Sequence, residues 1–167
     1  MEIRKVTQTD DFNAIDRIYT LSWQTAYKNI IPQDLLDGLS EYQRSDNPQK
    51  SSNEEFVAIE NGEYIGISSV RAARDEKMVG WGEIVAIYLL PKYFGKGFGK
   101  PLLEVSISAL VSMGYDKIYL WTLEDNMQAR KFYEKNGFSL CPDREVINIG
   151  GKDLVEVRYT YHMEKEA

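Results

Sequence analysis

Hydrophobic and polar positions change period along this chain, and each change marks an element. Glu2 to Val6 reads as a short edge strand. From there the period lengthens: Phe12, Ile15, Ile18, Tyr19 and Trp23 fall on one face of a helix running to about Lys28, with Thr9 or Asp10 as its cap. A second short helix, roughly Gln33 to Ser40, opens after Pro32. Glu41 to Asn53 is polar throughout and reads as a loop or mobile lid. Phe56 to Glu60 and Tyr64 to Arg71 flank Asn61-Gly62, a two-residue hairpin signal. Ala72 to Gly80 is a polar turn between antiparallel strands. Ile84 to Leu90 is a β-branched and aromatic run, the mark of a buried strand, which Pro91 stops. A helix follows from about Gly99 to Met113 with Gly114 at its end, then a strand from Lys117 to Thr122. Asn126 to Asn136 is a helix closed by Gly137, and the remainder forms two strands around Gly150-Gly151.

Strands through the middle with helices early and late predict an α+β fold: one central mixed, mostly antiparallel sheet with helices on both faces. At 167 residues the expectation is a single domain, 1–167, with one sizeable core. Hydrophobic content of 43% with 28% charged residues is ordinary for a soluble protein. No apolar run approaches the roughly 20 residues of a membrane helix, and Met1 to Lys5 lacks a signal-peptide core. One cysteine, Cys141, excludes an internal disulfide, and one histidine, His162, leaves no ligand set for zinc, so no metal is expected. The chain reads as cytoplasmic. Twenty basic against 26 acidic side chains give a net charge of −6, which argues against nucleic acid and favours a cationic partner such as an amine.

The chemistry concentrates in Glu83 to Leu103. Gly95, Gly97 and Gly99 alternate between the central strand and the helix beginning near Leu102. Strand, glycine loop and helix point free backbone N–H groups at an anion, and Pro101 near the helix start sacrifices no donor that would be paired. Two phosphate loops fail on spacing. A Walker A loop requires Gly-Lys-Ser/Thr five residues on from its first glycine, where this chain has Lys100-Pro101; a dinucleotide fingerprint requires glycine where Leu102 stands. Gly95-Lys96-Gly97-Phe98-Gly99 after Pro91-Lys92-Tyr93-Phe94 resembles the coenzyme A pyrophosphate loop of the GNAT N-acetyltransferases, with Phe94 where that family usually has Gln or Arg. The backbone N–H of Phe94 survives that exchange. A second stretch, Asn126-Met-Gln-Ala129-Arg-Lys-Phe132-Tyr133-Glu-Lys-Asn136-Gly137-Phe138, is similar to the family's Asn-x-x-Ala-x-x-Phe-Tyr-x-x-x-Gly-Phe motif. The resemblance covers nearly the whole chain, with both motifs in family order.

The resemblance implies an acetyl-CoA-dependent N-acetyltransferase acting on a primary amine of a small molecule or peptide by direct attack in a ternary complex. It implies cofactor binding by Ile87, Tyr88 and Leu89 on the central strand, by Phe94, Gly95, Lys96, Gly97, Phe98, Gly99 and Lys100 in the loop, and by Asn126, Ala129 and Tyr133. An alkyl amine with a pKa of about 10.4 arrives protonated, so a base is required. Glu83 is in register with the family's carboxylate base; alternation would put Glu83, Val85 and Ile87 on one face, and the competing reading is an ordinary strand-end carboxylate. Tyr133, at i+4 from Ala129 and i+7 from Asn126, is placed to donate to the departing sulfur, a phenol of pKa about 10 against a thiol of about 8.5. The competing reading is a packed aromatic with its hydroxyl satisfied by backbone. Cys141 reads as a small hydrophobe rather than an acyl carrier.

On the acceptor side, Trp23 and Tyr27 resemble a Trp-x-x-x-Tyr pair ending the first helix of some small members. They either cup a substrate amine by cation–π contact or form the apolar end of a helix. Arg71, Trp81, Trp121, Asn148 and Arg158 are further cleft candidates, and His162 reads as structural or exposed. Exposed strand edges make a homodimer possible, with no particular residue pointing to it. The alternative from another class is a non-catalytic acyl-CoA sensor of the same fold.

Overall fold

A computed structural model describes residues 1–39 and 53–164. The loop or lid expected over Glu41 to Asn53 therefore falls, but for Asn53, outside the described residues. Seven strands form one sheet: β1 (Glu2–Lys5), β2 (Glu54–Glu60), β3 (Glu63–Ala72), β4 (Gly82–Leu89), β5 (Lys117–Leu123), β6 (Ser139–Ile149) and β7 (Lys152–His162), in spatial order β1-β2-β3-β4-β5-β7-β6. Every pairing is antiparallel except β4 with β5. That pair is joined by a crossover helix, as parallel neighbours must be. The helices are α1 (Phe12–Ala26), α2 (Gln33–Gly38), α3 (Gly99–Ser112) and α4 (Met127–Lys135).

Alternation along β2 supplies both faces of the core. Phe56 and Ala58 point to α3, where Leu102, Leu103 and Leu110 are buried; Val57 points to α1, against Ile15 and Ile18. Ser106 would interrupt the apolar face of α3, but its hydroxyl bonds Leu102 O and Ser68 Oγ, both at 2.8 Å, so the buried polar pair is satisfied. A third cluster of Ile31, Leu36, Leu123 and Leu154 seats α2 on the far half of the sheet.

Two irregularities in β4 position the site. Between Ser69↔Ala86 and Val70↔Ile84 the register skips Val85, so β4 carries a bulge. The extra residue shifts the alternation: Ile84, Ile87 and Leu89 all pack on the α3 side, while Tyr88 packs on the α1 side. Glu83, the neighbour of Ile84, thus lies on the face opposite Ile87, and the expectation that the two share a face is overturned by the bulge. Secondly, β4 pairs with β5 only at Gly82↔Ile118 and Glu83↔Tyr119; beyond that the strands diverge.

The cap of α1 differs by one residue from expectation. Asp11, not Thr9 or Asp10, accepts the Ala14 N–H, at 3.1 Å. Asp10 is buried instead, taking bonds from Arg4 at 2.6 and 2.9 Å, from the Thr7 N–H at 2.7 Å and from the Tyr64 hydroxyl at 2.7 Å. It ties β1, the entry to α1 and β3 together. The Arg4 guanidinium, with help from Thr7 and Tyr64, holds its carboxyl well below the usual range against the opposing effect of burial. A folded-state pKa below the unfolded one gives stability that is complete above the unfolded value, about 3.9, and is lost as pH falls through and below it. Arg4 stays 34% exposed, which places the loss on breaking the pair at the low end for buried ions. Asp10→Asn is expected to cost about 2 kcal/mol at pH 7, with a smaller gap at about pH 3. Denaturant unfolding of both proteins at the two pH values checks this, and an equal gap at both would remove Asp10 as the linked group.

Candidate active site

Divergence of β4 from β5 opens a cavity of about 670 Å³ that passes through the sheet from the α3–α4 side to the α1 side. Ile87, Tyr88 and Leu89 line it from β4, and Leu120 to Leu123 from β5. Beyond Glu83 the edge of β4 facing β5 is unpaired, so alternate backbone N–H groups face the gap.

At one end lies the glycine loop. A 3-10 turn at Pro91–Tyr93 takes the Phe94 N–H onto Pro91 O at 3.0 Å. The Phe94 amide, which survives the exchange from Gln or Arg, is engaged in that turn. Gly95 and Gly97 have φ of 69° and 87° with open space where a Cβ would sit, so backbone conformation demands glycine there. Gly99 has a different reason: a Cβ would stand 3.2 Å from the Phe132 ring, so glycine lets α3 close on α4. No side chain caps α3, and among the described residues no protein acceptor takes the N–H groups of residues 95 to 98. Phe94, Gly95, Gly97, Gly99 and Lys100 line the cavity; Lys96 and Phe98 do not. Lys96 is exposed, and Phe98 packs edge-on against Tyr93 at 5.1 Å. Lys131 and Lys135 of α4 also line this end. Their i, i+4 spacing was visible in the sequence, but they occupy variable positions of the second motif.

In the middle, α4 presents Asn126, Ala129 and Tyr133 along one side of the cavity. Asn126 caps the helix, its Oδ1 accepting the Ala129 N–H at 3.2 Å, which leaves its side-chain NH2 without a protein partner among the described residues. The Tyr133 ring is clamped by Phe132, Phe138 and Tyr159 at centroid distances of 5.5, 5.8 and 6.2 Å and is 8% exposed. No described residue hydrogen-bonds its hydroxyl, so the reading in which backbone satisfies it does not hold. Burial, and to a smaller degree Tyr88, pushes the phenol upward.

The far end is acidic and aromatic. Glu83 is 2% exposed, with Oε1 accepting from the Tyr119 hydroxyl at 2.5 Å and Oε2 from Arg74 Nε and a terminal guanidinium nitrogen, both at 2.7 Å. Burial first, then Glu83, raises the Tyr119 phenol. Trp23 and Tyr27 meet edge to face at 4.9 Å; they pack against the α2 cluster, and that apolar helix end is also a wall of the cavity. Trp121 lines the cavity over Arg158, which lies 5.3 Å from its ring and is held by Asp143 at 2.5 Å and Asp75 at 3.3 Å. Arg71, Trp81 and Asn148 lie outside the cavity lining: Arg71 bonds Ala72 O, Trp81 stacks edge-on with the exposed His162, and Asn148 accepts the Gly151 N–H of the β6–β7 turn. Cys141 is half-buried on β6 with its thiol towards Thr160, also outside the cavity. Sequence reasoning missed Glu156, half-buried on β7 and lining this end. Its only early signal was a pair of charges, Glu156 and Arg158, alternating with the apolar Val155, Val157 and Tyr159.

The Acetyltransferase (GNAT) family matches residues 13–138 of this sequence. YuaI of Bacillus subtilis strain 168, an uncharacterised N-acetyltransferase, is 32% identical over 120 residues, covering 70% of this chain and 69% of that protein. A ribosomal protein bS18-alanine N-acetyltransferase of Haemophilus influenzae is 38% identical over 81 residues, 48% of this chain and 51% of that one. Among solved structures, the PaiA N-acetyltransferase of Thermoplasma acidophilum in complex with coenzyme A superposes with a TM-score of 0.72 at 20% identity, over 96% of this chain and 98% of the other. The family match runs from α1 through the glycine loop to Phe138 and so contains the β4–β5 split, the uncapped helix and Tyr133 with two of its three clamping rings: the chain belongs to the GNAT acetyltransferase family.

Proposed function

We propose that this protein transfers the acetyl group of acetyl-CoA to a primary amine, with Tyr133 protonating the departing sulfur. One observation carries the reading: a tyrosine hydroxyl without a protein partner among the described residues, fixed by three aromatic rings, faces a cavity that runs from free helix-terminal amides to an acidic, aromatic end. The residues fit the donor in two ways. Free N–H groups at the start of α3, with Lys100, Lys131 and Lys135 nearby, suit a pyrophosphate. The apolar gap between Ile87, Leu89 and Ala129 suits an extended arm, with the Asn126 amide as a polar contact. Acetyl-CoA, when bound, supplies the acyl group and a sulfur leaving group.

The remaining steps belong to the chain's own side chains. Unpaired N–H groups on β4 are oriented in advance towards the gap, where they would meet charge on a carbonyl oxygen. A phenol held above its ordinary value stays protonated at neutral pH, so Tyr133 is always loaded as a donor. Direct transfer is favoured because Cys141, the chain's one cysteine, lies outside the cavity lining. Glu83, with Arg74 and Tyr119, forms a fixed polar anchor at the acceptor end, where Trp23 and Tyr27 supply aromatic walls for a cation. The acceptor is thus a small-molecule or peptide amine that presents positive charge.

Two substitutions separate chemistry from binding. Tyr133→Phe is expected to lower kcat roughly 100-fold while leaving the thermal shift with acetyl-CoA unchanged. Equal loss of turnover and of binding would assign the hydroxyl to the donor instead. Gly97→Ala strains a left-handed residue and is expected to weaken coenzyme A binding about tenfold by calorimetry, with kcat at saturation nearly preserved. A wild-type protein that binds acetyl-CoA but releases no thiol with polyamines, amino acids, aminoglycosides or peptides would favour the sensor reading.

A further inference from the structure

Two carboxyls line the acceptor end of the cavity, and they are not equivalent. Both oxygens of Glu83 are engaged by Arg74 and Tyr119. The carboxyl of Glu156 has no hydrogen bond or ion pair with any described residue, although it sits on the same face of the sheet, opposite Leu123 across the β5–β7 ladder. Its strand neighbour on that face, Arg158, is committed to Asp75 and Asp143 and does not neutralise it. From the cavity walls, Trp23 and Tyr27 of α1 and Tyr88 of β4 surround the same space, and Tyr133 of α4 lies across the gap.

Resting on the acetyl-transfer reading, we infer that Glu156, not Glu83, is the group that holds the acceptor's ammonium and takes the proton whose loss frees the nitrogen to attack. Both Glu83 oxygens already accept from Arg74 and Tyr119, so neither is open to an incoming nitrogen. A carboxyl with no partner gives up nothing when it accepts a proton. Most of the surroundings of Glu156 act in one direction. Burial raises its pKa most, Glu145 of β6 and Glu83 of β4 add to it, and Arg74 opposes them. A base raised from the carboxylate range is closer to the operating pH, where general bases are most effective. Its influence also reaches the Tyr27 and Tyr88 phenols, which burial raises first and the Glu156 charge raises further.

The proton balance closes with groups already present. The ammonium passes one proton to Glu156. The C–N bond then forms as the C–S bond breaks, and the bonding pair leaves with sulfur, which takes its proton from Tyr133. The second nitrogen proton reloads Tyr133, and Glu156 returns its proton to solvent, so each turnover releases one proton, one thiol and one amide. The acceptor class follows: an unhindered primary amine on a carrier without an acidic group beside it, since such a group would meet Glu156 and Glu83 at once.

The experiment is the pH dependence of kcat/KM for wild type, Glu156→Gln, Glu156→Asp and Glu83→Gln, with the best acceptor from the amine pools and a thermal shift with acetyl-CoA as control for folding. Glu156→Gln is expected to lose roughly 100-fold in kcat/KM and the acid limb of the profile, which in wild type falls as Glu156 protonates. Glu156→Asp is expected to recover part of both, and all variants should keep the acetyl-CoA shift. A Glu156→Gln enzyme within about threefold of wild type with an unchanged acid limb would overturn this inference alone. It is equally overturned if Glu83→Gln, and not Glu156→Gln, removes that limb. A wild type that turns over no amine would overturn the transfer reading and this inference with it.

Discussion

The structure depends on one interrupted ladder. Parallel strands β4 and β5 pair at two positions and then part, leaving backbone groups of β4 without partners in the middle of the sheet. An unsatisfied buried backbone group costs about 1–3 kcal/mol, so a split of this length survives only where the groups face a cavity that water or a ligand fills. The flanking elements hold it open: α3 packs on β3 and β4 from one side, α1 holds the same strands from the other, and β7 secures β5 along its whole length. The opening is therefore framed by packed elements on both faces of the sheet.

Much of this was legible in the residues because local rules dominate where they act. Asn61-Gly62 and Gly150-Gly151 announced their hairpins through positive φ, and Pro91 and Gly137 marked the ends of a strand and a helix. Asn126 as cap of α4 was readable for the same reason. The cap of α1 was missed by one residue, since Asp10 and Asp11 are alike as caps; only the distant Arg4 and Tyr64 decide between them. The bulge at Val85 had no signature, because a valine in a run of β-branched residues looks the same whether paired or skipped. From that one unseen residue followed the misplacement of Ile87 relative to Glu83. Glu156 escaped for a related reason: its place at the cavity comes from the β5–β7 register, a non-local property that single-strand patterns do not contain.

The electrostatics divide along the cavity. The loop end gathers lysines and uncapped amides, and the opposite end gathers Glu83 and Glu156 among aromatic rings. Arg74 offsets Glu83, so Glu156 sets the sign at that end, and the field along the cavity favours an anionic group on the α3–α4 side. The overall charge of −6 alone does not do this, since it says nothing about where the charges stand.

The sheet itself separates the two ends. Tyr133 and its aromatic clamp belong to the α3–α4 face, whereas Glu83 and Glu156 belong to the α1 face, and only the gap between β4 and β5 connects them. A proton donor and a proton acceptor placed on one face would hydrogen-bond each other, as Tyr119 and Glu83 do, and each would lose its capacity for chemistry. Placing them on opposite faces leaves both the Tyr133 hydroxyl and the Glu156 carboxyl without a partner among the described residues, as the proposed transfer requires. The same separation accounts for why the two groups respond to burial in a compatible way. Desolvation raises both the phenol and the carboxyl, making the first a more reliably protonated donor and the second a stronger base. One physical cause, burial along a split sheet, thus acts on both groups of the proposed transfer.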